Sequence, residues 1–191
     1  MLYAFGFEKV GIVLGDIYFV DPNPYKGQEG AEHGVRVELR VFGRPPLNGS
    51  IYSAQPIEVE RPIWRADLLE SVAGQPGSCD RTHYHPTFSG WDPTARRFVR
   101  DLSKDPLGWL GTRLADLEGI LAEAGFPADT AAPGDAAELR GAAPEIVEVT
   151  GRLLERIRDG KAGTRPADAP ASDEAPPGSD TKQILVRSGW L

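Results

Sequence analysis

The sequence contains little cysteine and little histidine, and both shortages limit the chemistry that it can support. Cys79 is the only cysteine among 191 residues. It cannot form an internal disulfide or supply a cysteine-rich zinc-finger set, and a lone cysteine is compatible with a reducing compartment. The histidines are His33, His83 and His85. Any histidine-based site must therefore be built from these three side chains.

Long hydrophobic runs are also absent. No stretch approaches the roughly 18 apolar residues that indicate a membrane span. Glu8 and Lys9 interrupt the first residues, where a secretory signal would have an apolar run of about 7–15 residues. We therefore expect a cytoplasmic protein with no membrane partner. The net charge is −7, and residues 61–100 lean basic with only six basic and four acidic side chains. Nucleic-acid-binding domains carry a stronger basic footprint, so we expect no nucleic-acid partner.

The common catalytic motifs are missing as well. The sequence has no Walker A loop, no G-x-G-x-x-G fingerprint after a strand, no G-x-S-x-G elbow and no H-E-x-x-H pair. These absences argue against the enzyme classes that the motifs define. They leave open whether the protein is an enzyme of another kind.

The first half of the chain predicts an antiparallel sheet. Many of its residues are β-branched or aromatic, and residues 35–42 alternate between apolar and charged side chains, which is typical of a strand with one buried face. The predicted strands cover Val10–Val20, 35–42, 57–60 and 63–72. Residues 26–34 contain three glycines and are predicted to form a loop. We expect about five or six strands within residues 1–100.

A turn signal at residues 74–77 (GQPG) suggests a hairpin with a four-residue loop. That loop sets a register in which Leu68 opposes His83 and Ala66 opposes His85. Both histidines then lie on the apolar face of the preceding strand. A register slip of one residue would move them to the other face.

The second half predicts two helices. Asp105 is suited to cap the first helix, with Pro106 at its first position and Gly125 at its end. One apolar stripe is formed by Leu107, Leu110, Leu114, Leu117 and Leu121. The second helix lies within residues 135–159 and ends at Gly160. Both stripes need an apolar partner, so we expect an α+β fold with the two helices packed on one face of the sheet.

Composition divides the chain into three parts. Residues 1–160 are predicted to form a single α+β domain. Residues 161–180 contain four prolines and no large apolar side chain, so they are predicted to be a disordered linker. Residues 181–191 (TKQILVRSGWL) are again apolar and predict either a docking peptide for another protein or an edge strand on the same domain. The predicted partner-binding residues are Ile184, Leu185, Val186, Trp190 and Leu191.

His83 and His85 are the strongest candidates for chemistry. Two histidines at positions i and i+2 of a strand point to the same side and can hold one divalent transition metal, such as zinc or iron. A third protein ligand is needed. His33 is the remaining histidine, and Glu32, Asp92 and Cys79 are further candidates. The alternative is that both imidazoles simply pack beside Trp64 in the core.

A second candidate site is a basic cluster of Arg81, Arg96 and Arg97, whose guanidinium groups could bind a small anion. The alternative is that these arginines pair with nearby acidic residues on a solvated face. Three functions therefore remain open. The first is an accessory protein that recruits or assembles through residues 181–191. The others are a metal-binding protein or metal-dependent enzyme, and a small-anion-binding module.

Overall fold

A computed structural model describes residues 1–46 and 56–167. The predicted docking peptide at 181–191 and most of the predicted linker lie outside these residues. Within the described ranges, no helix has the length and apolar character needed to cross a bilayer.

The chain forms a five-stranded antiparallel sheet in which each strand lies beside its neighbour in the sequence. The strands are β1 (Leu2–Gly6), β2 (Val10–Val20), β3 (Ala31–Gly43), β4 (Glu58–Ser71) and β5 (His83–His85). A small two-stranded ribbon follows, formed by β6 (Phe88–Ser89) and β7 (Asp92–Pro93). The predicted α+β class, with an antiparallel sheet before the helices, is confirmed.

Two strand predictions need correction. β3 already begins at Ala31, inside the glycine-containing stretch that was predicted to be a loop. The two strands predicted at 57–60 and 63–72 form the single long strand β4. Pro62 lies in β4 beside shifts in the β3–β4 register. A proline is tolerated at such an irregularity because no ladder hydrogen bond is required from its nitrogen.

Up to residue 167, where the described chain ends, the second half contains four α-helices and one short 3-10 helix. They are α1 (Arg100–Lys104), α2 (Pro106–Leu114), α3 (Leu117–Ala124), the 3-10 turn Ala128–Thr130 and α4 (Asp135–Arg158). As predicted, Asp105 caps α2 by accepting a hydrogen bond from the Gly108 amide. The helix predicted to continue to Gly125 instead divides, because Asp116 accepts a hydrogen bond from the Gly119 amide and caps α3 separately.

The helices cover one face of the sheet. The fully buried side chains there include Ile12, Leu14, Val35, Val37, Trp64 and Leu68 from the strands and Leu110, Leu114, Ile146 and Leu153 from the helices. Asp135, at the start of α4, is fully buried and accepts hydrogen bonds from the backbone amides of Glu8, Lys9 and Ala132. These bonds attach the β1–β2 turn to the helical layer.

The other face of the sheet is polar over β3, β4 and β5. Side chains alternate along a strand, so this face receives the residues between the core positions. They are Arg36, Glu38, Arg65, Asp67, His83 and His85. Aromatic side chains of the following segment lie against this set. Phe88 lies 5.7 Å from the Arg65 guanidinium, and Phe98 lies 5.5 Å from the His83 ring. The polar face is therefore buried rather than solvated.

Candidate metal centre

The register between β4 and β5 decides which residues form the site. His83 pairs with Asp67, and His85 pairs with Arg65. The predicted register, with Leu68 opposite His83, is therefore wrong by one residue. Both histidines consequently lie on the polar face with Asp67 rather than on the core face.

The physical reason for the shift lies in the connection from β4 to β5, which is longer than the predicted four-residue loop. Residues 72–82 form it, and Cys79 takes a left-handed conformation with φ of 51°. The Arg81 amide and the Thr82 hydroxyl both donate to the carbonyl of Leu69. These bonds anchor the returning chain and set the position at which β5 begins.

Asp67, His83 and His85 converge on one point of the polar face. One ligand atom from each residue lies within 4.8 Å of the other two. The Nε2 atoms of both histidines are 3.5 Å from Oδ2 of Asp67. That separation is long for an N–H···O hydrogen bond, which has its mode near 2.9–3.0 Å. Ligands of a tetrahedral ion at about 2.1 Å are roughly 3.4 Å apart, which matches the observed spacing.

The other ring nitrogen of each histidine faces a backbone carbonyl. Nδ1 of His83 lies 2.7 Å from the Arg81 carbonyl, and Nδ1 of His85 contacts the Thr94 carbonyl. A carbonyl oxygen can only accept, so each Nδ1 carries the proton. The Nε2 atoms are then available as ligands, and within residues 1–46 and 56–167 Nε2 of the fully buried His85 has no hydrogen-bond partner. Metal-binding histidines usually make this kind of bond through the second nitrogen.

Two arginines neutralise the buried carboxylate. Arg36 donates from Nε to Oδ1 of Asp67 at 2.8 Å, and Nε of Arg65 lies 3.0 Å from Oδ2. Burial alone would raise the pKa of Asp67, but the two guanidinium groups, together with hydrogen bonding from the His83 and His85 side chains, outweigh it and hold that pKa well below its usual value. The carboxylate is therefore ionised at neutral pH. The same two cations would oppose the entry of a dication, and a metal held by Oδ2 would compete with Arg65 for that oxygen.

Burial acts differently on His85. It lowers the pKa of the imidazole to about 4, and the hydrogen-bonding attraction of Asp67 only partly offsets the effect. Burial likewise lowers the pKa of Arg65 to about 10. At neutral pH the site therefore contains a neutral His85 beside a charged Arg65 and a charged Asp67.

His33 does not join the histidine pair. It lies on β3, where its backbone pairs with Tyr18 and Glu70. This position is on the helix-covered face of the sheet, opposite to His83 and His85. The third residue of the group is Asp67 rather than His33. The available signal was the carboxylate of Asp67, which with Arg65 interrupts an apolar stretch of β4, but only the correct register brings it to the histidines.

Arg81 and Arg96 meet at a carboxylate rather than at an open pocket. Arg96 donates to Glu32 at 2.9 Å and to Asp21 at 3.2 Å. Arg81 lies 3.9 Å from the same Glu32 and donates to the Gly27 carbonyl. Burial raises the pKa of Glu32, although Arg96 and His83 oppose that effect. These two arginines hold the loop between β2 and β3 against the sheet.

Arg97 lies apart from the other two arginines. Its side chain is 61% exposed and lies 3.9 Å from Glu123 of α3. Its backbone forms an isolated bridge with Tyr84, so its neighbour Arg96 points to the opposite side. The three arginines predicted to bind an anion are therefore divided between two environments.

Comparison with known proteins adds no assignment. No protein-family model matches the chain, and no curated protein or solved structure matches it either. The class of site is defined by its geometry alone, as a buried set of two histidines and one carboxylate.

Proposed function

We propose that the protein binds a divalent transition metal, zinc or iron, through Asp67, His83 and His85. The observation that carries this proposal is Nε2 of His85. It is buried, it lacks a hydrogen-bond partner in the described part of the chain, and it faces a carboxylate oxygen at 3.5 Å. An uncompensated lone pair beside an anion is costly in a protein interior, and a shared cation would compensate both groups.

The donor set fits this class of metal. Two imidazole nitrogens and one carboxylate oxygen are borderline-hard ligands that suit zinc and iron. Three protein ligands leave at least one coordination position for water or a substrate, as catalytic centres require. Phe98 packs against His83 and is itself 46% exposed, so the His83 ring lies one side chain away from solvent. The more specific form of this proposal is that the protein is a metal-dependent enzyme.

The test is metal content and metal uptake of the full chain, purified without a histidine tag or chelator. We expect the wild type to contain, or to take up, about one equivalent of zinc or iron. His83→Gln and His85→Gln should each reduce the affinity at least tenfold, since either change removes one of only three ligands. His33→Gln is the matched control, because it removes a histidine from the opposite face and should leave binding unchanged.

A cobalt-loaded sample adds a second readout, because its visible absorption reports the ligand atoms directly. Circular dichroism verifies that each variant is folded. The proposal fails if the stripped wild type takes up none of zinc, iron, copper, nickel or cobalt. It also fails if folded His83→Gln and His85→Gln proteins bind metal as tightly as His33→Gln. Either result would make the cluster a metal-free network centred on Asp67.

A further inference from the structure

β1 forms one edge of the sheet and pairs only with β2 among the described strands. The Asp16 amide donates to the Met1 carbonyl, and the Phe7 amide donates to the Val10 carbonyl. These two bonds lie at the two ends of the β1–β2 pairing. In an antiparallel pair every second residue bonds to its partner strand, so Tyr3 and Phe5 are the residues of β1 that bond to β2. The backbone groups that point away from β2 therefore belong to Leu2, Ala4 and Gly6.

This edge lacks the usual protection. Sheet edges are commonly blocked by a charged side chain, a proline or a bulge. β1 reads LYAFG and contains none of these. Leu2 is 74% exposed, and within residues 1–46 and 56–167 no hydrogen bond reaches the outward backbone groups. The edge is therefore an uncharged template for one more strand.

The described chain leaves the fold close to this edge. After α4, the Gly163 amide donates to Asp16 at 2.8 Å. Asp16 follows Gly15, which pairs with Leu2 of β1. Residues 164–180 can extend over at most about 60 Å. The edge of β1 is only about 17 Å long. Residues 181–191 can therefore reach all of it without strain in the connection.

We propose that residues 182–187 (KQILVR) add to the outer edge of β1 as a sixth strand of the same sheet. In any register, a strand places Ile184 and Val186 on one face and Leu185 on the other. One face of β1 presents Tyr3 and the other presents Leu2, so the added strand would continue both faces with apolar side chains. The tether holds the segment near the edge at an effective concentration in the millimolar range, which favours its own domain over a second copy.

The test is hydrogen exchange of the full chain, followed in peptides that cover residues 2–6. Val186→Pro removes an amide hydrogen and breaks the added strand, whereas Ala175→Pro makes the same change within the proline-rich stretch. We expect the wild type and Ala175→Pro to exchange slowly in β1. Val186→Pro should exchange at least about tenfold faster there, with the rest of the sheet unchanged.

Two outcomes would overturn the proposal. β1 amides that exchange equally fast in all three proteins would mean that the edge is open. Protection that survives Val186→Pro, rises with protein concentration and accompanies a dimer in sedimentation would mean that a second copy covers the edge. Metal binding does not enter either readout, so this proposal and the metal proposal can fail separately.

Discussion

The metal-free protein should lose stability through His85 as the pH falls from neutral to about 4. His85 is fully buried and faces Asp67 and Arg65 on β4 and His83 on its own strand. Protonating it places a new charge beside Arg65 in the protein interior. We propose to replace it by His85→Gln, which retains a polar side chain of similar reach but does not titrate.

The sign and size of the expected change in unfolding free energy follow from the pKa of His85, which burial lowers from 6.5 to about 4 in the folded protein. Between these two values the unfolded chain binds more protons than the native state, so the free energy of unfolding rises with pH. The contribution is therefore complete above about pH 6.5 and is lost as the pH falls towards 4. A difference of roughly 2.5 pH units corresponds to about 3 kcal/mol.

Urea unfolding in the presence of a chelator measures this contribution. Midpoints and slopes are recorded at intervals between pH 7 and pH 4 for the wild type and His85→Gln. Both proteins contain every other titratable group, so the difference between the two stability curves reports the contribution of His85. We expect that difference to fall by about 3 kcal/mol across the window.

Parallel stability curves for the two proteins would refute the reasoning. They would mean that His85 has the same protonation in the folded and unfolded states, and so is not held as a buried neutral imidazole. The tautomer assigned from the Thr94 carbonyl would then lose its energetic support. A wild type that gains stability on acidification would contradict the sign as well as the size.

Three further variants test the fold by urea unfolding at pH 7. Asp135→Ala should cost about 3 kcal/mol, because it removes the buried carboxylate that accepts hydrogen bonds from the backbone amides of Glu8, Lys9 and Ala132; Asp135→Asn keeps one oxygen and should cost less. Gly34→Ala should cost at least about 2 kcal/mol, since its Cβ would lie 2.1 Å from the Leu68 carbonyl oxygen. Gly141→Ala is the matched control in α4, where an added Cβ would have no atom within 4 Å outside its own helical turn, and it should stabilise the protein by roughly 0.5–1 kcal/mol. Equal effects of the two glycine variants would contradict the close approach of β3 and β4.

Features that depend on local sequence were predictable. β2 spans Val10–Val20 as its composition predicted, and the alternation in β3 correctly separates core residues from polar ones. Asp105 and Gly125 act as helix boundaries because capping uses only the residues within one turn. The division between α2 and α3 was missed because the leucine stripe continues across it. Asp116 could have indicated the break, since it is also a good capping residue.

Only part of the candidate site was predictable, because the face of the sheet on which the histidines lie depends on bonds between residues that are distant in sequence. The spacing of His83 and His85 indicates that they share a face, but the spacing cannot identify which face. That choice rests on Arg81 and Thr82, both of which bond to the carbonyl of Leu69 in the preceding strand. The predicted register places Leu68 opposite His83, whereas the observed register, shifted by one residue, places Asp67 there. His83 therefore lies beside a carboxylate rather than in the apolar core.

β4 also contains a clue that is independent of register. Arg65 and Asp67 alternate with buried apolar residues, a pattern that normally indicates a solvated face. Here both residues are at most 2% exposed, and in the chain after β5 Phe88 lies against Arg65 while Phe98 lies against the neighbouring His83. Burying two charges with two imidazoles costs free energy that apolar side chains at the same positions would not. The same set of side chains could hold a metal ion, which is the role proposed for it above.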